Sequence, residues 1–216
     1  MTYLTPFTLS KASSLQDILA ANKKSIASIN PQILKLSGKG QSPHTLWIGC
    51  SDSRVNECTT LGCVPGEIFT VRNVANVVTY DDPAAQSAIQ FAIESLKVSR
   101  IIVCGHTDCG GIRGTLANRK SGGPLDNWLL PIRETRYQHR DELEALESEK
   151  ERITRLSELN VLHSVDTVRK HPSFVKAHKE KKVEVYGIIY DVETGYIREL
   201  PTIERDGISE VFELTS

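Results

Sequence analysis

The sequence predicts an α/β fold with a mostly parallel β-sheet of about four strands flanked by helices, and an added C-terminal hairpin strand. Apolar runs at residues 45–50, 68–71, 101–104 and 183–190 have the length of buried strands. The helical segment between the second and third runs makes a crossover long enough for parallel pairing. Because parallel sheets place ligands at the carboxyl ends of their strands, the residues after the first and third runs are site candidates.

The size of the chain favours a single domain. It has 216 residues and a mass of 24.0 kDa, enough for one sizeable core. We expect a helical arm at residues 1–40, an α/β core at 41–200 and a tail at 201–216. A net charge of −1 gives no attraction to nucleic acid or to an anionic membrane, and no apolar run approaches the roughly 20 residues that span a bilayer.

The cysteine count indicates the compartment. Five cysteines are an odd number in a chain too large to need disulfides, which favours a reducing, cytoplasmic environment. The first sixteen residues contain several Ser and Thr and no acidic residue, but they lack the arginines of a transit peptide. A mitochondrial form with that segment removed stays open.

Caps and periodicity predict the N-terminal elements. Ser13 or Ser14 caps a helix that Pro31 ends, and a short helix at 33–36 ends at Gly38. A turn at 38–40 leads into the first strand. Pro65-Gly66 precedes the second strand. The next helix starts at Asp82-Pro83 and has a buried face of Ala88, Ile89, Ala92, Ile93 and Leu96.

The C-terminal half is predicted as one long helix followed by a hairpin. Pro131 interrupts a first helical stretch, and residues 139–170 form a charged helix with an apolar stripe. The charges have mixed sign and are typical of a solvated helix face; a binding surface is the less favoured interpretation. A turn at 191–195 pairs the strand at 183–190 with residues 196–198.

Three metal-ligating residue types follow the first and third strands. Cys50 ends the first, while His106 and Cys109 follow the third, so they converge if the strands are neighbours. Two thiolates and one imidazole fill three of the four tetrahedral positions of zinc, which is the pattern of a catalytic site. The structural alternative is two buried thiols beside a hydrogen-bonded histidine.

Asp52 and Arg54 stand just after Cys50. Two thiolates neutralise the zinc dication, so coordination by Asp52 would add a negative charge and block the position left for solvent. Arg54 can hold Asp52 away from the metal through a bidentate ion pair. An ordinary loop ion pair is the structural alternative.

The motifs Cys50-x-Asp52-x-Arg54 and His106-x-x-Cys109 resemble those of the β-class carbonic anhydrases of fungi, plants and bacteria. The resemblance runs from about Gln41 through Gly114, with a weaker echo at 185–192. Further matching segments are Gln41-Ser42-Pro43, Pro65-Gly66-Glu67, residues 72–76 and Cys109-Gly110-Gly111.

The resemblance implies a Zn²⁺ enzyme that reversibly hydrates carbon dioxide to bicarbonate and a proton, by attack of a zinc-bound hydroxide. Asp52 would orient that hydroxide and Arg54 would fix Asp52. In some family members this aspartate becomes a fourth zinc ligand in a closed, low-pH state. A homodimer or homotetramer is also implied.

The resemblance extends to a substrate pocket, partly contributed across a dimer interface. An apolar wall suits carbon dioxide, and an amide can hold bicarbonate. For the apolar members core packing is an equally good explanation, and Phe91 stands where the family has tyrosine. The candidates are Gln41, Phe69, Val74, Phe91, Gly110 and Gly111.

Other residues have weaker functional interpretations. Trp47, Val55 and Arg72 resemble a bicarbonate inhibition site of some bacterial members, but strand packing with an ion pair is favoured. Cys104 is expected to be a small apolar core residue. Two other functions stay open: a hydrolase of carbon disulfide with the same zinc, and a non-catalytic zinc or thiol redox protein.

Overall fold

The computed structural model describes residues 8–203 and 207–214. The chain divides into two compact units, residues 1–41 and 42–216. The helices are α1 (Leu15–Ile26), α2 (Pro31–Ser37), α3 (Glu57–Leu61), α4 (Pro83–Glu94), α5 (Gly110–Leu116), α6 (Pro124–Trp128), α7 (Leu130–Gln138), α8 (Arg140–Glu144), α9 (Glu149–Arg169), α10 (Pro172–Lys179) and α11 (Ile208–Phe212). A 3₁₀ turn spans Val74–Asn76. The predicted arm, core and tail stay a prediction.

The first unit contains α1 and α2. Ser14 caps α1 in a capping box with Asp17. The predicted continuation of α1 to Pro31 is wrong: Pro31 begins α2 instead, because proline has no N–H to lose at the first helical position. None of the residues of α1 is buried, and Leu15 is 63% exposed.

The second unit is built on one five-stranded sheet, which confirms the predicted fold class. The strands are β1 (Thr45–Cys50), β2 (Ile68–Asn73), β3 (Arg100–His106), β4 (Glu184–Tyr190) and β5 (Ile197–Leu200). Their order is β2-β1-β3-β4-β5. The first four are parallel, and β5 pairs antiparallel with β4 as the hairpin prediction required.

Alternate residues of the strands enter different parts of the core. Leu46 and Ile48 pack in the largest apolar cluster, which also holds residues of α4, α9 and α10. Trp47 packs with Cys104 in a separate cluster, as the period of two in a strand requires. α9 packs against β3 and β4. Among the described helices, none is both long and apolar enough to cross a membrane.

Helix boundaries in the C-terminal half differ from the prediction. The helix predicted at 139–170 is two helices, α8 and α9, because Ser148 starts α9 with a capping box to Glu151. Pro131 does not interrupt a helix but lies in the first turn of α7. The short helices α3, α5, α6 and α10 were not predicted.

Gly105 lets α9 lie close to the sheet. A Cβ atom there would stand 2.6 Å from Val161 Cγ2 and 3.0 Å from Ile189 Cδ1. We expect Gly105→Ala to lower the free energy of unfolding by about 1–3 kcal/mol, since overpacking forces neighbours out of place. Urea unfolding measures the effect.

Gly114 is the matched control for this substitution. It lies in α5, and a Cβ atom there would meet no heavy atom within 4 Å. Gly114→Ala should be neutral or raise the stability by about 0.5–1 kcal/mol, because alanine favours the helix. Equal stability of the two variants would contradict the packing argument.

Candidate active site

The adjacency of β1 and β3 brings the three proposed metal ligands together. Gly49 of β1 pairs with Cys104 of β3, so the ends of both strands lie side by side. Cys50 ends β1, His106 ends β3, and Cys109 is the residue before α5. Their ligand atoms lie within 4.8 Å of one another, and all three residues are buried. The fold therefore brings Cys50, His106 and Cys109 together, as the sequence predicted.

His106 presents a bare nitrogen to this cluster. Its Nδ1 lies 2.8 Å from the carbonyl oxygen of Thr107 and donates to it, which leaves the lone pair on Nε2. Nε2 is buried and has no hydrogen-bond partner among the described residues. An orphaned imidazole lone pair between two thiols is the donor set that zinc prefers, so these residues fit the metal that the family implies.

Cys50 is the more acidic of the two thiols in the cluster. Its sulfur accepts backbone N–H groups from Asp52 at 3.4 Å and Ala75 at 3.3 Å. A hydrogen bond from Cys109 lowers the pKa of Cys50. The same bond to Cys50, together with burial, raises the pKa of Cys109. The two thiols therefore differ in acidity, and binding of a metal ion would require both to lose their protons.

Arg54 holds both oxygens of Asp52. Its Nε donates to Oδ1 at 3.0 Å, and its terminal nitrogen donates to Oδ2 at 2.8 Å. This hydrogen-bonded ion pair lowers the pKa of Asp52 to about 2. Oδ2 also lies 3.9 Å from Nε2 of His106, so the carboxylate borders the cluster.

Asp108 anchors Arg54 from the far side, and the sequence reasoning missed it. Arg54 donates to Oδ2 of Asp108 at 3.1 Å and to its carbonyl oxygen at 3.2 Å. Arg113 of α5 forms an ion pair with the same carboxylate. Asp108 has a φ of +58°, a conformation that aspartate tolerates better than most residues. Asp108 lies between the two proposed ligands His106 and Cys109, and this position could have indicated a role in the site.

The 3₁₀ turn after β2 supplies one of the N–H groups on Cys50. Ala75 and Asn76 have φ values of +63° and +48°, which turn the Ala75 N–H toward the sulfur. Asn160 of α9 donates to the Ala75 carbonyl oxygen at 2.8 Å, and Ser164 donates to that of Asn76 at 3.3 Å. A distant helix therefore stabilises a strained turn beside the cluster.

Arg72 braces the loop that carries Asp52. Its guanidinium donates to the carbonyl oxygens of Cys50 at 3.0 Å, Asp52 at 2.7 Å and Val55 at 2.6 Å. Trp47 and Val55 are buried together in one apolar cluster. This geometry favours the packing interpretation of the three residues over an inhibition site, because Nε and one terminal nitrogen of Arg72 already donate to backbone carbonyl oxygens.

The substrate-pocket candidates fall into separate groups. Val74 is 40% exposed, and a Cβ atom on Gly111 would stand 3.3 Å from it, so these two are neighbours beside the cluster. Phe69 and Phe91 pack on each other with ring centroids 5.7 Å apart. Gln41 belongs to the first unit.

The phenylalanine pair does not reach the cluster along its own strand. Asn73 pairs with Cys50, whereas Phe69 pairs with Leu46. Four strand residues separate the two positions, which is about 13 Å. Phe91 is 45% exposed.

Gly111 is required for the close approach of α5 to the turn. A Cβ atom there would lie 3.1 Å from Cβ of Ala75, whose N–H contacts Cys50. A misplacement of catalytic groups by about 1 Å lowers the rate by about a hundredfold, and the contact at Gly111 requires a smaller shift. We therefore expect Gly111→Ala to lower turnover by about tenfold. Initial rates of carbon dioxide hydration, the reaction that the resemblance implies, measure the effect. At Gly114, which is not a pocket candidate, a Cβ atom meets nothing within 4 Å, so an equal loss in Gly114→Ala would contradict the steric argument.

The comparisons with known proteins agree on one family. The carbonic anhydrase family model matches residues 45–197. A carbonic anhydrase of Candida albicans is 49% identical over 214 residues, which cover 97% of this chain and 75% of that protein.

Two solved structures share the fold. The crystal structure of a β-carbonic anhydrase of the fungal pathogen Aspergillus fumigatus has a TM-score of 0.88 at 40% identity, covering 93% of this chain and 99% of that one. A structure from a study of two tetrameric β-carbonic anhydrases of Sordaria macrospora has a TM-score of 0.79 at 41% identity, covering 86% and 93%. With these matches added to the Cys-His-Cys cluster and the parallel sheet, the chain belongs to the β-class carbonic anhydrases.

Proposed function

We propose that this carbonic anhydrase reversibly hydrates carbon dioxide to bicarbonate and a proton, with a zinc ion held by Cys50, His106 and Cys109. The observation that carries the proposal is the buried Nε2 of His106, which has no hydrogen-bond partner among the described residues and faces two cysteine sulfurs. A buried polar atom without a partner is costly, and a metal ion removes that cost. The mixed sulfur and nitrogen donor set favours zinc over harder cations.

Bound zinc would supply acidification of a water molecule, so that hydroxide is available near neutral pH. The residues of the chain provide the rest. The two N–H groups on Cys50 draw charge away from its sulfur, which weakens its donation and counters the neutralising effect of two thiolates. Hydrogen bonds around ligands tune metal sites in this way.

Asp52 is the group that orients the attacking oxygen. Its Oδ2 is directed to the side of the cluster where His106 presents Nε2, and it can accept a hydrogen bond from that oxygen. Arg54 occupies both carboxylate oxygens and so restrains Asp52 from becoming a ligand. Asp52 would be able to coordinate the metal only after its release from Arg54, and we propose this as the closed state of the site.

The pocket for carbon dioxide needs little polarity, because the substrate is apolar. Val74 and the open side of Gly110 provide such a surface next to the ligands. We propose that Gln41, Phe69 and Phe91 contribute to the pocket of a second copy in a homodimer or homotetramer. The exposure of Phe91 and the tetrameric Sordaria relatives support this. Light scattering should give the mass of at least two chains, and a fully active monomer would contradict it.

Two alternatives make different demands on the residues. A hydrolase of carbon disulfide could use the same ligands. A zinc or thiol redox protein has no use for the bidentate pair of Asp52 and Arg54.

We also propose a cytoplasmic location, supported by five free cysteines in the chain.

The deciding experiment combines metal analysis with stopped-flow hydration of carbon dioxide. We expect about one zinc per chain, loss of activity after removal of zinc by a chelator, and recovery after zinc is restored. Carbon disulfide is assayed in parallel. Zinc-independent hydration, or hydrolysis of carbon disulfide without hydration, would overturn the proposal.

A further inference from the structure

A cleft rich in arginine has none of the proposed metal ligands in its lining. It has a volume of about 490 Å³ and lies between the C-terminal end of α5, the helices α7 and α8, and the start of α9. Arg133, Arg136, Arg140 and Arg152 line it, with Glu144 as the carboxylate of its wall. None of these residues has a part in the proposed hydration of carbon dioxide.

The sequence spacing concentrates these charges on one side. Arg133 and Arg136 are three residues apart in α7, on neighbouring turns of one helix face, and Arg140 begins α8 four residues later. Arg152 adds a fourth guanidinium from the first turn of α9. Like charges repel at this spacing, so the chain maintains the arrangement at an energetic cost.

Two of the guanidinium groups are held in position by uncharged acceptors. Arg133 donates to Oδ1 of Asn118 at 2.9 Å and to the carbonyl oxygen of Arg119 at 3.0 Å. Arg136 donates to the carbonyl oxygen of Thr115 at 3.0 Å. These acceptors carry no formal charge, so the bonds orient the two guanidinium groups without neutralising them.

The other two arginines differ in their partners. Arg152 donates twice to the carbonyl oxygen of Leu146, at 3.1 and 2.9 Å. Arg140 is paired with the carboxylate of Asp141 at 3.0 Å. Within the described part of the chain, the ion pairs within 4 Å include Arg140 but not Arg133, Arg136 or Arg152. Three partly buried guanidinium groups therefore face one cleft without an ion-pair partner.

This arrangement is suited to a multiply charged anion. A partly buried charge without a counter-ion is unfavourable, and an anion in the cleft would relieve it. The planar fork of arginine matches the oxygens of a phosphate group and binds them in pairs. The volume is within the range of small-ligand pockets, about 300–1,000 Å³.

The remaining lining is suited to an organic body attached to the phosphate. Leu116 and Leu143 contribute apolar surface, and Tyr137 stands at the rim with 73% of its surface exposed. A flat ring can stack on an exposed tyrosine. We propose that this cleft binds a small organic phosphate with at least two negative charges, such as a nucleoside diphosphate.

Isothermal titration calorimetry of the zinc-loaded protein with ADP tests the proposal. We expect saturable binding of one ADP per chain, weaker as salt is raised, since salt screens exposed charges. Pyrophosphate should compete and adenosine should not. Arg133→Gln and Arg152→Gln should each weaken ADP binding by about tenfold or more, since hydrogen bonds to charged groups are strong. Arg100→Gln, at the exposed start of β3, is the control and should change nothing.

A variant of opposite sign separates recognition from damage to the fold. Glu144→Gln removes the carboxylate of the cleft and should tighten ADP binding by about threefold, which misfolding cannot produce. Absence of saturable binding, equal weakening in Arg100→Gln, or sulfate binding as tightly as ADP would overturn the proposal. Binding of RNA but not ADP would show a different class of partner and would also overturn it. Carbon dioxide hydration is measured alongside as a check on integrity.

Discussion

Replacing Cys50 with alanine is expected to remove both the zinc and the hydration activity of this protein. Cys50 supplies one of the three proposed ligands, and its sulfur accepts hydrogen bonds from the backbone N–H groups of Asp52 and Ala75. Two remaining ligands leave zinc bound too weakly to survive purification. We expect the zinc content to fall from about one per chain to near zero, and the rate of hydration to fall to that of the uncatalysed reaction.

Cys104 provides the control for this substitution. It is also a fully buried cysteine of the same sheet, but it packs with Trp47 and Ile188 and lies outside the cluster. Cys104→Ala should cost stability and keep its zinc, and burial raises the pKa of this thiol so that it stays protonated. Metal analysis and stopped-flow rates decide. Turnover in a zinc-free Cys50→Ala variant, or zinc loss in Cys104→Ala, would refute the assignment.

Replacing Arg54 with lysine is expected to lower turnover by about a hundredfold, although the charge is kept. Lysine cannot donate to both oxygens of Asp52, so the carboxylate loses the bidentate bond that orients it. Positioned acid or base groups typically contribute about 10²–10⁴ in rate. The released carboxylate would also be free to turn toward the metal.

X-ray absorption at the zinc edge distinguishes these two consequences. In Arg54→Lys we expect an added oxygen ligand from Asp52, and in the wild type at neutral pH none. Arg113→Lys is the matched control, because Arg113 contacts Asp108 and does not contact Asp52. Equal rate losses in the two lysine variants would show that general loop order, and not the grip on Asp52, is what Arg54 provides.

The parts of the fold that the sequence predicted are those encoded locally. Residues 45–50 and 101–104 are apolar runs followed by polar residues. This pattern predicted both the two strands and the position of Cys50 and His106 at the same edge of the sheet. The parallel direction of the strands was predicted from the length of the crossover between them. Family resemblance then narrowed the residue roles further than spacing alone could.

The parts that escaped prediction depend on contacts between distant segments. Asp108 reaches Arg54 across 54 positions, and Asn160 reaches Ala75 across 85. No local pattern shows such pairs. The short helix α5 was likewise obscured by its glycines, which have a low intrinsic helix propensity; of these, Gly111 is required for packing against Ala75.

The separation of Phe69 from the cluster illustrates a different limit. Resemblance grouped it with Val74 as a pocket residue, and the sheet register places the two at different distances from Cys50. A sequence motif can predict which residues line a pocket, but it does not show whether one chain or two chains contribute them. The oligomer proposal follows from that difference.

The reach of α9 into the turn at Ala75 bears on how the enzyme is made. Asn160 and Ser164 support that turn, and both are synthesised long after the last ligand, Cys109, has been translated. A ribosome-bound chain that already displays all three ligands still lacks the helix that fixes their surroundings. If the cluster binds zinc as proposed, the surroundings of its ligands are complete only after α9 has folded onto the turn.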